Sequence, residues 1–269
     1  MQANGKTIAV TGGGNGIGRE LVLQLLVRGA RVAALDISEG GLAQTAELAG
    51  AKRDKLSTHV VDITDRAAVE ALPEAILAAH GQIDGIINCA GIIQPFVRFN
   101  DLGYDAIERI TKVNYWGPIY MVKTFLPLLL KRPEAHIVNV SSMGGFVPVP
   151  GQTMYGATKA AVKLFTEGLH SELVDTKVEV TIVFPGAIHT DISKNSGVGG
   201  PPNAEQEAKA SKIKMTEPDA AARMILDGME KNAYRVMVGS DAKMLDRLSR
   251  LSPLKAATII YQQMRSLLP

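Results

Sequence analysis

Apolar residues along this chain fall into two alternating rhythms. Short runs rich in β-branched residues and apolar at most positions predict strands at Lys6–Thr11, Arg31–Asp36, Leu56–Val61, Gly85–Cys89, His136–Val140, Val178–Phe184 and Arg235–Val238. Between them run longer segments with helical periodicity: about Gly16–Arg28, a stretch ending at Leu48, Arg66–His80, Tyr104 to about Leu130, Gln152–Val174, and a helix ending near Lys231. Pro218 stands early in that last helix, and Thr216 and Asp219 have the spacing of a capping box. A strand such as Ile137–Val140 has no solvent face, which suits a parallel sheet covered on both sides. Strand–helix alternation then predicts an α/β fold: a doubly wound, seven-stranded parallel sheet with helices on both faces.

Two segments break the rhythm. Asp191–Thr216 is polar and rich in Gly, Pro and Lys, and reads as a loop with one short helix. Ala242–Leu268 carries an amphipathic pattern, Met244, Leu245, Leu248 and Leu251, then Pro253, then Ile259, Ile260, Met264 and Leu267. No repeat or interdomain linker stands out. The expectation is one domain over residues 1–240 and a helical tail over 241–269 that packs on the domain or on a partner.

Composition narrows the classes. With 29 Lys and Arg against 27 Asp and Glu the net charge is +2, and no basic block argues for nucleic acid. The single cysteine, Cys89, excludes an internal disulfide and fits a reducing compartment. No charged-then-apolar leader precedes the first strand, so no secretory signal is expected. Phe125–Leu130 is too short to span a bilayer. The expectation is a cytoplasmic protein.

The chemistry starts at Thr11-Gly12-Gly13-Gly14-Asn15-Gly16-Ile17-Gly18, between the first strand and the first helix. Glycines there permit a sharp turn and close approach of backbone to a pyrophosphate, and the helix N-terminus adds N–H groups and a positive dipole end. In that setting the fold is expected to be of the Rossmann type. Asp36 ends the second strand, where a carboxylate can accept from ribose hydroxyls and repel a 2′-phosphate, which favours NAD over NADP. The same carboxylate can instead cap the helix that follows.

Tyr155 and Lys159 are spaced i, i+4 on one helix, so both can face one pocket. A free phenol has a pKa of about 10. An ammonium about 4 Å away at an effective dielectric of about 20 is worth about 4 kcal/mol. That would lower the phenol by up to about three pH units before desolvation opposes it. Ser141-Ser142 follows the fifth strand at the carboxyl edge of the sheet, where a hydroxyl could hold a substrate oxygen while Tyr155 moves a proton.

Taken together, these pieces resemble the short-chain dehydrogenase/reductase family from about Lys6 to Gly239. The matching residues, in order, are Thr11–Gly18, Asp36, Asp62, Asn88-Cys89-Ala90-Gly91, Asn114, Ser142, Tyr155 with Lys159, and Pro185-Gly186 leading to Thr190. The resemblance implies that Ser142, thirteen residues before Tyr155, is the substrate-facing serine. It implies that Tyr155 is the general acid/base, that Lys159 lowers its pKa and holds the nicotinamide ribose, and that Asn114 completes a water-linked proton relay. It implies that Asp62 contacts the adenine and that Asn88, Ala90 and Gly91 line the centre of the cofactor. Ile188 and Thr190 would meet the carboxamide. Gly12, Asn15, Gly16, Ile17, Gly18, Ile63, Val113, Pro185 and Gly186 complete the expected cofactor shell. Residues 191–216 fall where the family carries a substrate lid. Family members form homodimers or homotetramers, often through the helices that carry Asn114 and Tyr155.

The expected function is an NAD(H)-dependent oxidoreductase that interconverts a secondary alcohol and a ketone. Met143, Phe146, Val147, Val149 and Met154 suggest an apolar wall for a lipid-, steroid- or aromatic-like substrate, or else a plain core loop. The alternative is a non-catalytic dinucleotide-binding redox regulator, which would have no need of Ser142, Tyr155, Lys159 and Asn114. A nucleotide-sugar epimerase would need a different glycine spacing and a longer C-terminal domain. Cys89 stands where the family commonly has Asn and reads as a core thiol. His189 either faces the substrate or, as preferred here, lies exposed on its loop. His59, His80, His136 and His170 form no metal-like pattern, so no metal is expected.

Overall fold

The structure, a computed structural model, describes residues 1–198 and 215–268. Seven strands are present: β1 Thr7–Thr11, β2 Arg31–Asp36, β3 Leu56–Val60, β4 Gly85–Asn88, β5 Ala135–Val140, β6 Val178–Pro185 and β7 Arg235–Val238. They form one sheet in the order β3-β2-β1-β4-β5-β6-β7, parallel throughout. The Rossmann-type doubly wound sheet expected from the pattern is therefore what forms.

Side-chain alternation along the strands builds two cores. On one face Ile8 and Val10 of β1, Val32 and Ala34 of β2 and Val138 and Val140 of β5 pack under α1 (Gly16–Val27). Leu42 of α2 (Glu39–Leu48) and Ala221, Ile225 and Leu226 of a later helix (Pro218–Glu230) join the same core. On the other face Ala9, Ala33, Ile86 and Ile137 pack under α3 (Arg66–His80). The helix Gly117–Leu129, through Phe125 and Leu129, and the helix Thr153–Leu173, through Leu169 and Leu173, complete that layer. The chain winds outward in both directions from the boundary between β1 and β4, which opens a crevice at the carboxyl edge of these strands.

Local signals set the helix ends. Asn15, Ser38 and Asp65 accept from first-turn N–H groups of α1, α2 and α3. Gly81 closes α3 in the left-handed region at φ 76°. The stretch from Tyr104 to about Leu130 is helical without a break, as expected, and widens once: α4 (Tyr104–Thr111) passes through a π-helical turn at Lys112–Trp116 into α5 (Gly117–Leu129). One expectation is corrected: the capping box does not form. Glu217 is the N-cap and makes no side-chain cap bond. The backbone of Thr216 is engaged instead with Ala187 and His189, and Pro218 at the first position already presets the helical φ.

After α6 (Thr153–Leu173) come α7 (Ile192–Asn195), α8 (Pro218–Glu230), α9 (Ser240–Leu251) and α10 (Pro253–Met264). The expected lid at 191–216 falls partly outside the described residues. In the tail, Leu245, Ala256 and Ile260 are buried against Val147, with Met143, Phe146, Val149 and Met264 packed around them. The helices expected to carry subunit contacts expose Tyr104, Trp116 and Leu164. Among the described residues no helix is long and apolar enough to cross a membrane.

Candidate active site

A cleft of about 1260 Å³ opens above the carboxyl ends of β1, β2, β4, β5 and β6. That exceeds the range of roughly 300–1,000 Å³ usual for one small ligand. Its floor is the glycine-rich turn. Gly12 sits at φ 75°, and a Cβ there would press on the backbone of Ala90 at 3.0 Å. A Cβ on Gly18 would overlap the carbonyl of Gly12. The turn is therefore bare backbone, directly before the first-turn N–H groups of α1 that no helical carbonyl can reach.

Asp36 closes one end. Its Oδ2 accepts from Gly14 N at 2.9 Å and its Oδ1 from Ser38 N at 2.9 Å. Ser38, not Asp36, is the N-cap of α2. The side chain of Arg19, which the sequence reading missed, also lines the cleft. Its guanidinium is committed to Gly14 O and to Thr45 Oγ1 rather than to Asp36.

The other expected cofactor residues divide into two groups. Asn15, Gly16, Ile17, Asp62, Ile63, Ala90, Gly91, Val113, Pro185, Gly186, Ile188 and Thr190 all line the cleft. Asn88 does not. It is 2% exposed and turns into the protein, donating to Asn139 Oδ1 at 2.8 Å, while Asn139 donates to Thr166 at 2.9 Å. Cys89 lines the cleft in its place, and burial pushes its thiol up to about 12. The chemistry of this lining fits a dinucleotide: bare backbone donors where a pyrophosphate needs them, and an anchored carboxylate where a ribose needs an acceptor.

The polar side chains that face one another lie at the end of β5. Ser141 and Ser142 separate cleanly. Ser141 donates to Lys159 O at 2.7 Å and staples the strand to α6. Ser142 Oγ accepts from Gly144 N at 3.0 Å and lowers the neighbouring phenol of Tyr155. Lys159 is 4% exposed and donates to Val140 O at 3.0 Å, with its Nζ 5.9 Å from the centre of the Tyr155 ring. Asn114, on the π-helical turn, is fully buried behind Gly91 rather than on the cleft wall. Its Oδ1 accepts from Ile92 N at 2.9 Å and its Nδ2 donates to Ile92 O at 2.8 Å. A Cβ on Gly91 would meet both Lys159 Nζ, at 3.1 Å, and Asn114 Oδ1, at 3.3 Å. Only a glycine leaves these two groups side by side.

The electrostatics differ from the expectation. Burial raises the Tyr155 phenol above its ordinary value, and the neighbouring Ser142 hydroxyl pulls it back. Burial also lowers Lys159 to about 8. Desolvation is thus the largest cause of both shifts.

Beyond Ser142 and Tyr155 the wall turns apolar: Ile93, Phe96, Met143, Val149, Ile192 and Met264. Of the wall expected from sequence, Met143 and Val149 line the cleft, whereas Phe146 and Val147 pack into the core behind it and Met154 is not among the lining residues. α7 lies over the opening. Ile93 N donates to Ser196 Oγ at 2.9 Å, Arg109 to Ser196 O at 2.7 Å, and Asn15 Nδ2 to Asn195 Oδ1 at 3.3 Å. His189 points away from the cleft toward Glu217, at 3.3 Å, and is largely exposed. Phe96, Arg109 and Ser196 carried no spacing signal, and Met264 only that of an amphipathic tail, because they come from distant segments that only the fold brings together.

Comparison with known proteins agrees with the geometry. Residues 6–198 match the family profile described as short chain dehydrogenase. SadH of Mycobacterium tuberculosis, described as an oxidoreductase, is 37% identical over 251 residues, 92% of this chain and 91% of SadH. A short-chain dehydrogenase/reductase from Burkholderia phymatum, solved with NAD, superposes with a TM-score of 0.85 at 23% identity, covering 95% of this chain and 96% of that one. A short-chain dehydrogenase from Burkholderia cenocepacia, solved with NADP, gives a TM-score of 0.80 at 26% identity, covering 97% and 99%.

Proposed function

This chain belongs to the short-chain dehydrogenase/reductase family of oxidoreductases, and from that premise we propose that it interconverts a secondary alcohol and a ketone with NAD(H) on an apolar substrate. One observation carries the reading: Ser142 and Lys159, both buried, and Tyr155, half-buried, are gathered on the cleft wall. Burying an ammonium and a phenol costs stability unless each has a partner. A protein that only binds a nucleotide gains nothing from that expense.

In this reading Ser142 Oγ and the Tyr155 hydroxyl hold the substrate oxygen between them. With its phenol raised, Tyr155 is protonated at neutral pH and stands ready to donate to a carbonyl oxygen. In the oxidative direction it takes the alcohol proton, which alkaline pH favours. Lys159, fixed to Val140 O, keeps a positive charge beside the ring up to about pH 8. Asn114, behind Gly91, lies next to Lys159 Nζ and continues the polar path inward. The glycine turn, Asp36 and Thr190 would hold the nucleotide, whose nicotinamide ring, when bound, would accept or deliver the hydride.

NAD is preferred over NADP because Asp36 is a carboxylate anchored by two backbone N–H groups at the ribose position, with Arg19 engaged elsewhere. The apolar substrate follows from Ile93, Phe96, Met143, Val149 and Met264.

The test is a panel of apolar ketones and alcohols read by NADH absorbance, with Tyr155→Phe beside the wild type. Loss of a positioned general acid lowers turnover by about 10²–10⁴-fold, while the NADH dissociation constant stays within about twofold. Equal turnover by the two proteins would remove Tyr155 from the chemistry.

A further inference from the structure

The first N–H groups of a helix have no carbonyl of their own helix to bond, and ordinarily the N-cap side chain answers them. In α6, which carries Tyr155 in its first turn, the N-cap is Gln152, and it makes no such bond. Its Nε2 donates instead to Gln94 O, at 2.9 Å. The acceptor for the helix comes from 60 residues upstream: Gln94 Oε1 accepts from Met154 N at 2.8 Å and from Tyr155 N at 3.1 Å. Gln94 Nε2 donates to Gly151 O at 3.0 Å. Donors face one end of the carboxamide and a carbonyl faces the other, so its orientation is fixed by chemistry. Gln94 is 1% exposed, so water does not compete for these bonds.

Resting on the oxidoreductase reading above, we infer that Gln94 is a positioning residue for Tyr155: a cap delivered from the β4 side of the cleft that fixes the first turn of the catalytic helix. Further contacts give this its functional sense. The same short segment holds the other parts of the site. Gly91 admits Lys159 and Asn114, Ile92 grips the Asn114 carboxamide, and Ile93 N takes Ser196 of the covering segment. The Tyr155 ring packs on Gly144, within 3.3 Å of where a Cβ would stand, so a small shift of the turn moves the phenol relative to Ser142. Lys159 lies one turn further in and is held independently by Val140 O. Gln94 does not itself line the cleft, whereas Asp36 and the glycine turn do. Gln94 therefore governs proton transfer and leaves nucleotide binding alone.

Gln94→Leu removes both the acceptor and the donor. Gln94→Glu keeps an acceptor at the positive end of the helix but loses the bond to Gly151. The pair isolates the cap, and Gln94→Glu serves where Gln94→Leu does not fold. The measurements are kcat, the NADH dissociation constant, and the pH titration of Tyr155 followed by its carbon-13 ring Cζ signal, assigned with Tyr155→Phe. We expect Gln94→Leu to lower kcat at least tenfold with NADH affinity within twofold, and to move the Tyr155 midpoint upward by half a pH unit or more as the phenol drifts from the Ser142 hydroxyl that lowers it. Gln94→Glu should recover most of kcat. An unmoved Tyr155 midpoint in both variants, or a loss of kcat matched by an equal loss of NADH affinity, overturns the assignment. If the wild type itself turns over no substrate, the oxidoreductase reading falls, while the titration, which needs no substrate, still decides the role of Gln94.

Discussion

Single side chains in this cleft hold positions that cost stability, and the cost can be read by pH. Lys159 falls from an ordinary 10.5 to about 8 by burial. At about 1.4 kcal/mol per pH unit that is a penalty of at most about 3.5 kcal/mol. Below pH 8 the native lysine stays charged and the penalty is complete. Between about 8 and 10.4 the unfolded lysine holds a proton that the native one has lost, so native stability rises with pH there. Lys159→Met should therefore melt several degrees above the wild type at pH 7, with the gap closing as pH rises from 8 to 10. A gap independent of pH would show that burial of the charge is not its source. Asp36 is the second case. Asp36→Asn keeps an oxygen for one of the two backbone N–H groups and removes the charge, so the ratio of NADPH to NADH dissociation constants should fall at least tenfold; an unchanged ratio would take cofactor discrimination away from this residue. Both positions were visible in the sequence, because a carboxylate after β2 and a lysine one turn beyond a tyrosine keep fixed offsets. Gln94 was not, since its partners lie 57 to 61 residues away and a capping carboxamide has no required spacing. The sign of the Tyr155 shift was misjudged for a related reason: spacing shows that an ammonium is near, but not how far burial opposes it.

At the scale of elements, the strands and helices were legible because each carries its own period, and the π-helical turn between α4 and α5 shows the limit. The pattern from Tyr104 to Leu130 is helical throughout. The π-helical turn at Lys112–Trp116 coincides with the burial of Asn114 against both backbone groups of Ile92, a tertiary event without local signal. The strand β5 offers a test of how such burial sets acid stability. His136 is 1% exposed, shares a hydrogen bond with Thr181 Oγ1 at 2.9 Å, and burial pulls it down to about 3. Because the unfolded imidazole titrates near 6.5, stability is intact above that value and is lost as pH falls below it. His136→Leu leaves Thr181 satisfied by Ala233 O at 2.7 Å. Between pH 8 and pH 5 this variant should lose about 2 kcal/mol less unfolding free energy than the wild type, measured by denaturant titration. An equal loss in both would place the acid sensitivity elsewhere, with His59 and His80, both lowered by burial, the next candidates.

For the molecule as a whole, the sheet fixes where the nucleotide goes and the last two helices shape what lies beyond it. α10 turns Ala256 and Ile260 inward at helical spacing, and one turn further on Met264 reaches the cleft. The sequence pattern announced an amphipathic tail but could not choose its partner. The loop it covers, Met143–Val149, lies about a hundred residues earlier, and apolar faces match many surfaces. Its docking makes the wall beyond Tyr155 a composite of β4, β5 and tail segments, so binding of substrate and binding of nucleotide should separate in mutants. Met264→Gln exchanges a thioether for a carboxamide of similar length. Burying such an apolar group against a ligand is worth roughly 1–1.5 kcal/mol, so KM for an apolar ketone should rise about five- to tenfold. The same change lies far from Asp36 and the glycine turn and should leave the NADH dissociation constant and kcat within twofold. A rise in the NADH constant with no change in KM would mean that the tail serves the nucleotide rather than the substrate, and the apolar wall would lose its function.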